Sequence, residues 1–76
     1  MSFWDTIDKM RSRPWDVQPE EFETVAKRLG LPWREGKHRV YSHPHRKGVH
    51  VPIPRHAPVK RTYVEQFLEM IDDLLP

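Results

Sequence analysis

All five histidines of this 76-residue chain, His38, His43, His45, His50 and His56, fall between Gly36 and His56. Arg39, Arg46, Lys47 and Arg55 share that window, which holds no acidic residue. Histidine titrates near neutral pH when unperturbed, so it can take or give a proton there. Cations beside it can hold phosphates and stabilise negative charge as it develops. Together they suit phosphodiester chemistry on RNA, which brings its own nucleophile in the 2′-hydroxyl. A base that removes that proton is typically worth about 10²- to 10⁴-fold in rate. The products would be a 2′,3′-cyclic phosphate and a 5′-hydroxyl. No metal or other cofactor enters this scheme, and a strict magnesium requirement would contradict it.

Within the window the roles divide unequally. Lys37, Arg39, Arg46, Lys47, Arg55 and, just beyond it, Lys60 are the candidate phosphate contacts. His43 and His50 are candidates for protonating the leaving 5′-oxygen, and His43, before Pro44, can equally be structural. His45 and His56 read as solvent- or phosphate-facing. Tyr41 can stack on a base or fill the core. Zinc is disfavoured, because no cysteine supports the histidines and neighbouring cations repel a metal.

The charge layout agrees with a polyanion or acidic partner. Residues 34–61 carry eight basic groups against the lone Glu35, whereas residues 62–76 carry four acids and no base. The absence of cysteine excludes a disulfide framework and a thiolate metal site and fits a reducing cytoplasm. No apolar run approaches the roughly 20 residues of a membrane span, and the acidic, amphipathic amino terminus does not resemble a signal peptide. A chain this short buries only about 60% of its unfolded surface, enough for one domain with one small core.

Periodicity supplies the elements that must position these groups. Ser2 and Asp5 can cap a first helix whose Phe3, Ile7 and Met10 form one stripe; it ends before Pro14. Trp15, in the turn that follows, is expected to pack onto the domain. Pro19 opens a second helix with Phe22, Val25, Ala26 and Leu29 on one face, stopped at Gly30. Leu31 to Glu35 reads as a strand with Trp33, at an edge because of Pro32. Gly36 turns the chain into a second strand, Lys37 to His43. Pro44 to Gly48 reverses it again. Val49, Val51 and Ile53 form the apolar face of a third strand, with Pro52 and Pro54 on its edge. After a basic connection, a Thr62–Glu65 capping box opens the last helix, with Val64, Phe67, Leu68, Ile71, Leu74 and Leu75 as its stripe. Acids at that helix's carboxyl end oppose its macrodipole, so another interaction must favour them. The order α-α-β-β-β-α gives an α+β domain, a three-stranded antiparallel sheet covered on one face.

Alternation leaves the direction of His38 open. It shares a face with Val40 if the strand is regular. A bulge at Gly36 and Lys37, a position beyond the helical cover, or a buried Tyr41 with Val40 facing solvent would each expose it.

From Gly36 onward the chain resembles the HicA family of bacterial toxins. The likeness rests on Gly36-Lys37-His38, Tyr41-Ser42-His43-Pro44 and Val49-His50-Val51-Pro52-Ile53-Pro54-Arg55-His56. It continues outside the window at Arg13 to Leu31 and at Val59-Lys60-Arg61-Thr62-Tyr63-Val64 through Leu68, covering roughly residues 10–73. The resemblance implies a fold like the double-stranded-RNA-binding domain, residues 1–76 forming one toxin domain with 1–13 as a helical extension. It implies a metal-independent endoribonuclease that cleaves mRNA with His38 as its catalytic residue. It further implies a partner, a HicB-type antitoxin, with the toxin monomeric when alone. The family commonly has serine where this chain has Lys37, and lysine there can contact phosphate. A binding module of the same fold, lacking catalysis and holding RNA on a basic sheet face, is the competing expectation.

Overall fold

The computed structural model describes residues 2–76, as three helices over one face of a three-stranded antiparallel sheet. Helix α1 spans Phe3–Ser12 and is closed by the expected reciprocal cap. The Asp5 N–H donates to Ser2 Oγ at 3.2 Å, and the Ser2 N–H donates to Asp5 Oδ2 at 3.3 Å. Its Ile7 and Met10 are fully buried in the core, so α1 is part of the core rather than an appendage. Lys9 ties it to the second helix through a 2.6 Å ion pair with Glu21.

Trp15 does not pack onto the domain; it is 59% exposed. The Asp16 N–H bonds the Arg13 carbonyl at 3.0 Å, closing a turn that buries Pro14 and Val17 and leaves Trp15 outside. Val17 takes the core place instead, pairing with Val59 through a 2.8 Å backbone bond. Helix α2, Pro19–Leu29, starts on its proline and ends at Gly30, whose φ of 74° is the left-handed conformation that glycine adopts without a Cβ clash.

Strands β1 (Trp33–Arg34), β2 (Arg39–Ser42) and β3 (His50–Ile53) lie in that order. β2 is therefore central, and both proline-bearing segments lie at edges. Trp33 faces Tyr41, and Tyr41 faces Val51. The His43 N–H bonds the Val49 carbonyl, so alternation along the antiparallel ladder makes Val40–Pro52 a non-hydrogen-bonded pair. Pro52 thus costs the ladder no bond. Tyr41, Val51 and Ile53 are buried under the helices, while Arg34, Val40, Ser42, His50 and Pro52 share the open face. Val49 is not core; it is 37% exposed. It lies outside the strand, directly after Gly48 at φ 83°, where period-two alternation no longer applies.

Helix α3, Arg61–Ile71, continues into a 3-10 turn at Asp72–Leu74. The Thr62–Glu65 capping box is absent. Val59 is held by Val17, so the helix begins two residues early with Lys60 as N-cap, and Glu65 instead pairs with Arg61 at 3.0 Å. Val64, Phe67, Met70 and Ile71 fill the core. Phe67 meets Phe22 edge-on at 4.9 Å and Tyr41 at 5.5 Å between ring centroids. Among the described residues no helix is long and apolar enough to cross a membrane.

Because α1 is core, Ile7→Ala is expected to cost about 2–5 kcal/mol, the range for emptying a buried aliphatic site. Gly30→Ala, with space for its methyl but a left-handed backbone, should cost about 1 kcal/mol. Urea unfolding of the two variants checks that ranking.

Candidate active site and nucleic-acid interface

His38 lies outside β2, in the turn between β1 and β2, and is exposed. The expected strand from Lys37 to His43 is shorter, because Glu35 and Arg39 close the turn between them. Arg39 donates from Nε and Nη2 to Glu35 at 3.1 and 2.7 Å. Tyr41 is the buried residue and Val40 the open-face one, while His38, in the turn before β2, is exposed.

A surface pocket of about 280 Å³ is lined by His38, Pro54, His56, Pro58, Val59, Lys60 and Tyr63. No carboxylate or cysteine lines it. Lys60 is the N-cap of α3, and no side chain caps that helix. The first backbone bonds of α3 run from the Tyr63 and Val64 N–H groups to the Lys60 carbonyl at 3.0 and 3.4 Å. The helix end adds a partial positive charge beside the pocket. Glu35 helps to bring the two histidines together: besides Arg39 it accepts from Arg55 Nη2 at 2.6 Å, tying the turn that bears His38 to the connection that bears His56. Sequence reading left His56 among the solvent- or phosphate-facing groups and gave Tyr63 no role. No periodicity could place the 54–60 connection against the 35–38 turn.

The candidate cations divide by type. Arg39, Arg46 and Arg55 are all paired, with Glu23 and Glu35, with Asp73, and with Glu35 respectively. Among the described residues Lys37, Lys47 and Lys60 make no ion pair. Arg46 and Arg55 are exposed, and exposed pairs contribute only about 0–1 kcal/mol, so both guanidiniums can exchange a carboxylate for a phosphate. Arg39 is different. It holds two glutamates, reaches the Tyr41 hydroxyl at 3.4 Å and lies 5.2 Å from the centre of the Trp33 ring. Hydrogen bonding to Glu35, then Tyr41 and Glu23, raises its pKa above the ordinary arginine value. As a phosphate contact it is replaced by a positioning role.

His43 and His50, the expected leaving-group acids, do not join His38. His50 is exposed on the open sheet face, opposite Ser42. The His43 side chain is 1% exposed. Its Nδ1 accepts the N–H groups of His45 and Arg46, both at 3.0 Å. That leaves Nε2 to carry the ring hydrogen, donated to Asp73 at 3.0 and 3.2 Å. The ring clips the 44–48 loop to the end of α3. Here is the interaction that favours an acid at that end: Asp73 receives His43 and Arg46, and the His43 bond first, then Arg46, holds its carboxyl below the ordinary range. Glu23 and Glu35 are lowered likewise, each by Arg39 foremost.

Other pockets suit a polyanion less. The one lined by Glu20, Glu23, Arg39 and Arg55 presents two carboxylates, and the one beside Arg46 and His50 presents Glu69. The open sheet face, with Arg34, Val40, Ser42, His50 and Pro52, carries no acid. No group of three or more histidines, cysteines, aspartates and glutamates is placed to hold a metal among the described residues. Comparison with models of known families, with curated proteins and with solved structures returns no match.

His43→Ala strands two backbone donors and should cost about 1–3 kcal/mol; His43→Phe, which restores volume without an acceptor, should not recover it. Urea titration reads both. Asp73, Glu23 and Glu35 have folded pKa values below their unfolded ones, so the unfolded chain binds more protons in acid. Their contribution is present above the ordinary carboxylate range and is lost as pH falls through about 4 and below. The urea midpoint should drop between pH 6 and pH 3, less steeply in Asp73→Asn.

Proposed function

We propose that this protein is a metal-independent endoribonuclease, using His38 as general base in the pocket at the amino end of α3. The single observation that carries this reading is the composition of that pocket, an exposed histidine beside an unpaired lysine and an uncapped helix end, with no acid. A helix amino terminus and a lysine attract phosphate. A histidine base suits a substrate that supplies its own nucleophile, as RNA does through its 2′-hydroxyl. Lys60 and Lys37 hold the scissile phosphate and its neighbour. Arg46, Lys47 and Arg55 extend the basic track along the backbone.

The motif likeness to HicA toxins supports an mRNA-cleaving toxin of double-stranded-RNA-binding-domain-like fold, acting in the cytoplasm and neutralised by a HicB-type antitoxin. The observed order α-α-β-β-β-α is compatible with that fold. Lys37, where the family commonly has serine, serves phosphate binding in this proposal.

Purified protein should cleave single-stranded RNA in the presence of a chelator, leaving 2′,3′-cyclic phosphate ends. His38→Ala should lower the rate by about 10²- to 10⁴-fold, and its expression should relieve a growth arrest that the unaltered chain causes. RNA bound but not cut, equally by both proteins, would favour a non-catalytic binding module on the open sheet face.

A further inference from the structure

We propose that His56 is the second catalytic residue of this site, the general acid that protonates the departing 5′-oxygen; this rests on the endoribonuclease reading above. Neither His43 nor His50 can fill that role beside His38. The first is buried, with both ring nitrogens engaged, and the second pairs with Ser42 at the far end of β2 and does not line the pocket. His56 is exposed and lines the same pocket as His38, brought there by the 54–60 connection while His38 comes from the turn before β2. The position is held from two sides. Arg55, its neighbour, is bonded to Glu35 at the start of the His38 turn, and Val59, three residues on, is buried and bonded to Val17.

The step balances with these two groups alone. His38 takes the 2′-hydroxyl proton as O2′ forms a bond to phosphorus. The bond from phosphorus to O5′ breaks, and O5′ takes its proton from the His56 imidazolium. RNA is left as a 2′,3′-cyclic phosphate and a 5′-hydroxyl. His38 ends protonated and His56 neutral, and exchange with water restores both. In-line attack requires the entering and leaving oxygens on opposite sides of phosphorus, and so two separate groups, which His38 and His56 supply from two different segments of the chain. Lys60, the N-cap of α3, lines the same pocket and is the cation for the non-bridging oxygens.

The test uses the full chain and two matched oligoribonucleotides, one natural and one with sulfur replacing the bridging 5′-oxygen at the cleaved link. Sulfur departs as a thiolate and needs no proton. His56→Ala should lose about 10²- to 10⁴-fold on natural RNA and return to within about tenfold of the unaltered chain on the sulfur substrate. His56→Gln, close in shape to histidine, should behave in the same way. His38→Ala should stay impaired on both. A His56→Ala rate equal to that of the unaltered chain on natural RNA, or the same loss on both substrates, would overturn the assignment while leaving His38 in place. An unaltered chain that cuts neither substrate would overturn the endoribonuclease reading and this inference with it.

Discussion

Burial of Tyr41 is the constraint on which the rest of the molecule depends. It is on the central strand, and its ring meets Trp33, Phe22 and Phe67 at once. Side chains alternate along a strand, so placing this ring under the helices sends Arg39 to the same side and Val40 and Ser42 to the other. Arg39 then reaches the Tyr41 hydroxyl and both nearby glutamates. Its fork onto Glu35 closes the turn whose free residues are Gly36, Lys37 and His38. The core thus determines the site at one remove. A one-residue slip in β2 would expose Tyr41, release Arg39 and dissolve the turn geometry together.

Glu35 extends that control beyond the turn. As the lone acid in the basic stretch it gathers Arg39 and Arg55, binding the end of β1 to the chain leaving β3. Such exposed pairs contribute little to global stability. Their effect is positional, since they hold two otherwise unconnected loops against one pocket. The same economy governs the cations. Arg39, Arg46 and Arg55, with planar forks suited to carboxylates, are taken up by internal pairing, while Lys37, Lys47 and Lys60 stay free for a polyanion. Segregation of charge along the chain is therefore partly neutralised in space, and the basic surface that remains is smaller than the composition suggests.

Element type and order were legible because each has a local cause. Pro19 and Gly30 bracket α2, Ser2 and Asp5 cap α1, and alternation through Val51 and Ile53 marks β3. Residues misread from sequence are those whose fate is decided by partners distant in the chain. Trp15 is turned outward because Val17 is captured by Val59. Thr62 loses its cap for the same reason, since that capture starts α3 early. Arg39 looks like any basic residue until Glu23 is brought over it. His43 was legible as structural from the proline after it, but not its partner Asp73, 30 residues away. His56 was legible as a solvent- or phosphate-facing group, but not its place beside His38, which depends on which turn the 54–60 connection meets.

The central claim is that RNA is engaged at the pocket shared by His38, His56, Lys60 and Tyr63, and not on the open face of the sheet. The most direct measurement is nuclear magnetic resonance of the isotope-labelled His38→Ala protein, titrated with an RNA oligonucleotide it cannot cut. The account predicts that amide shifts concentrate at residues 35–38 and 54–63, with little change at Arg34, Val40, Ser42 and His50. Shifts centred on those four residues, with the pocket unmoved, would contradict it.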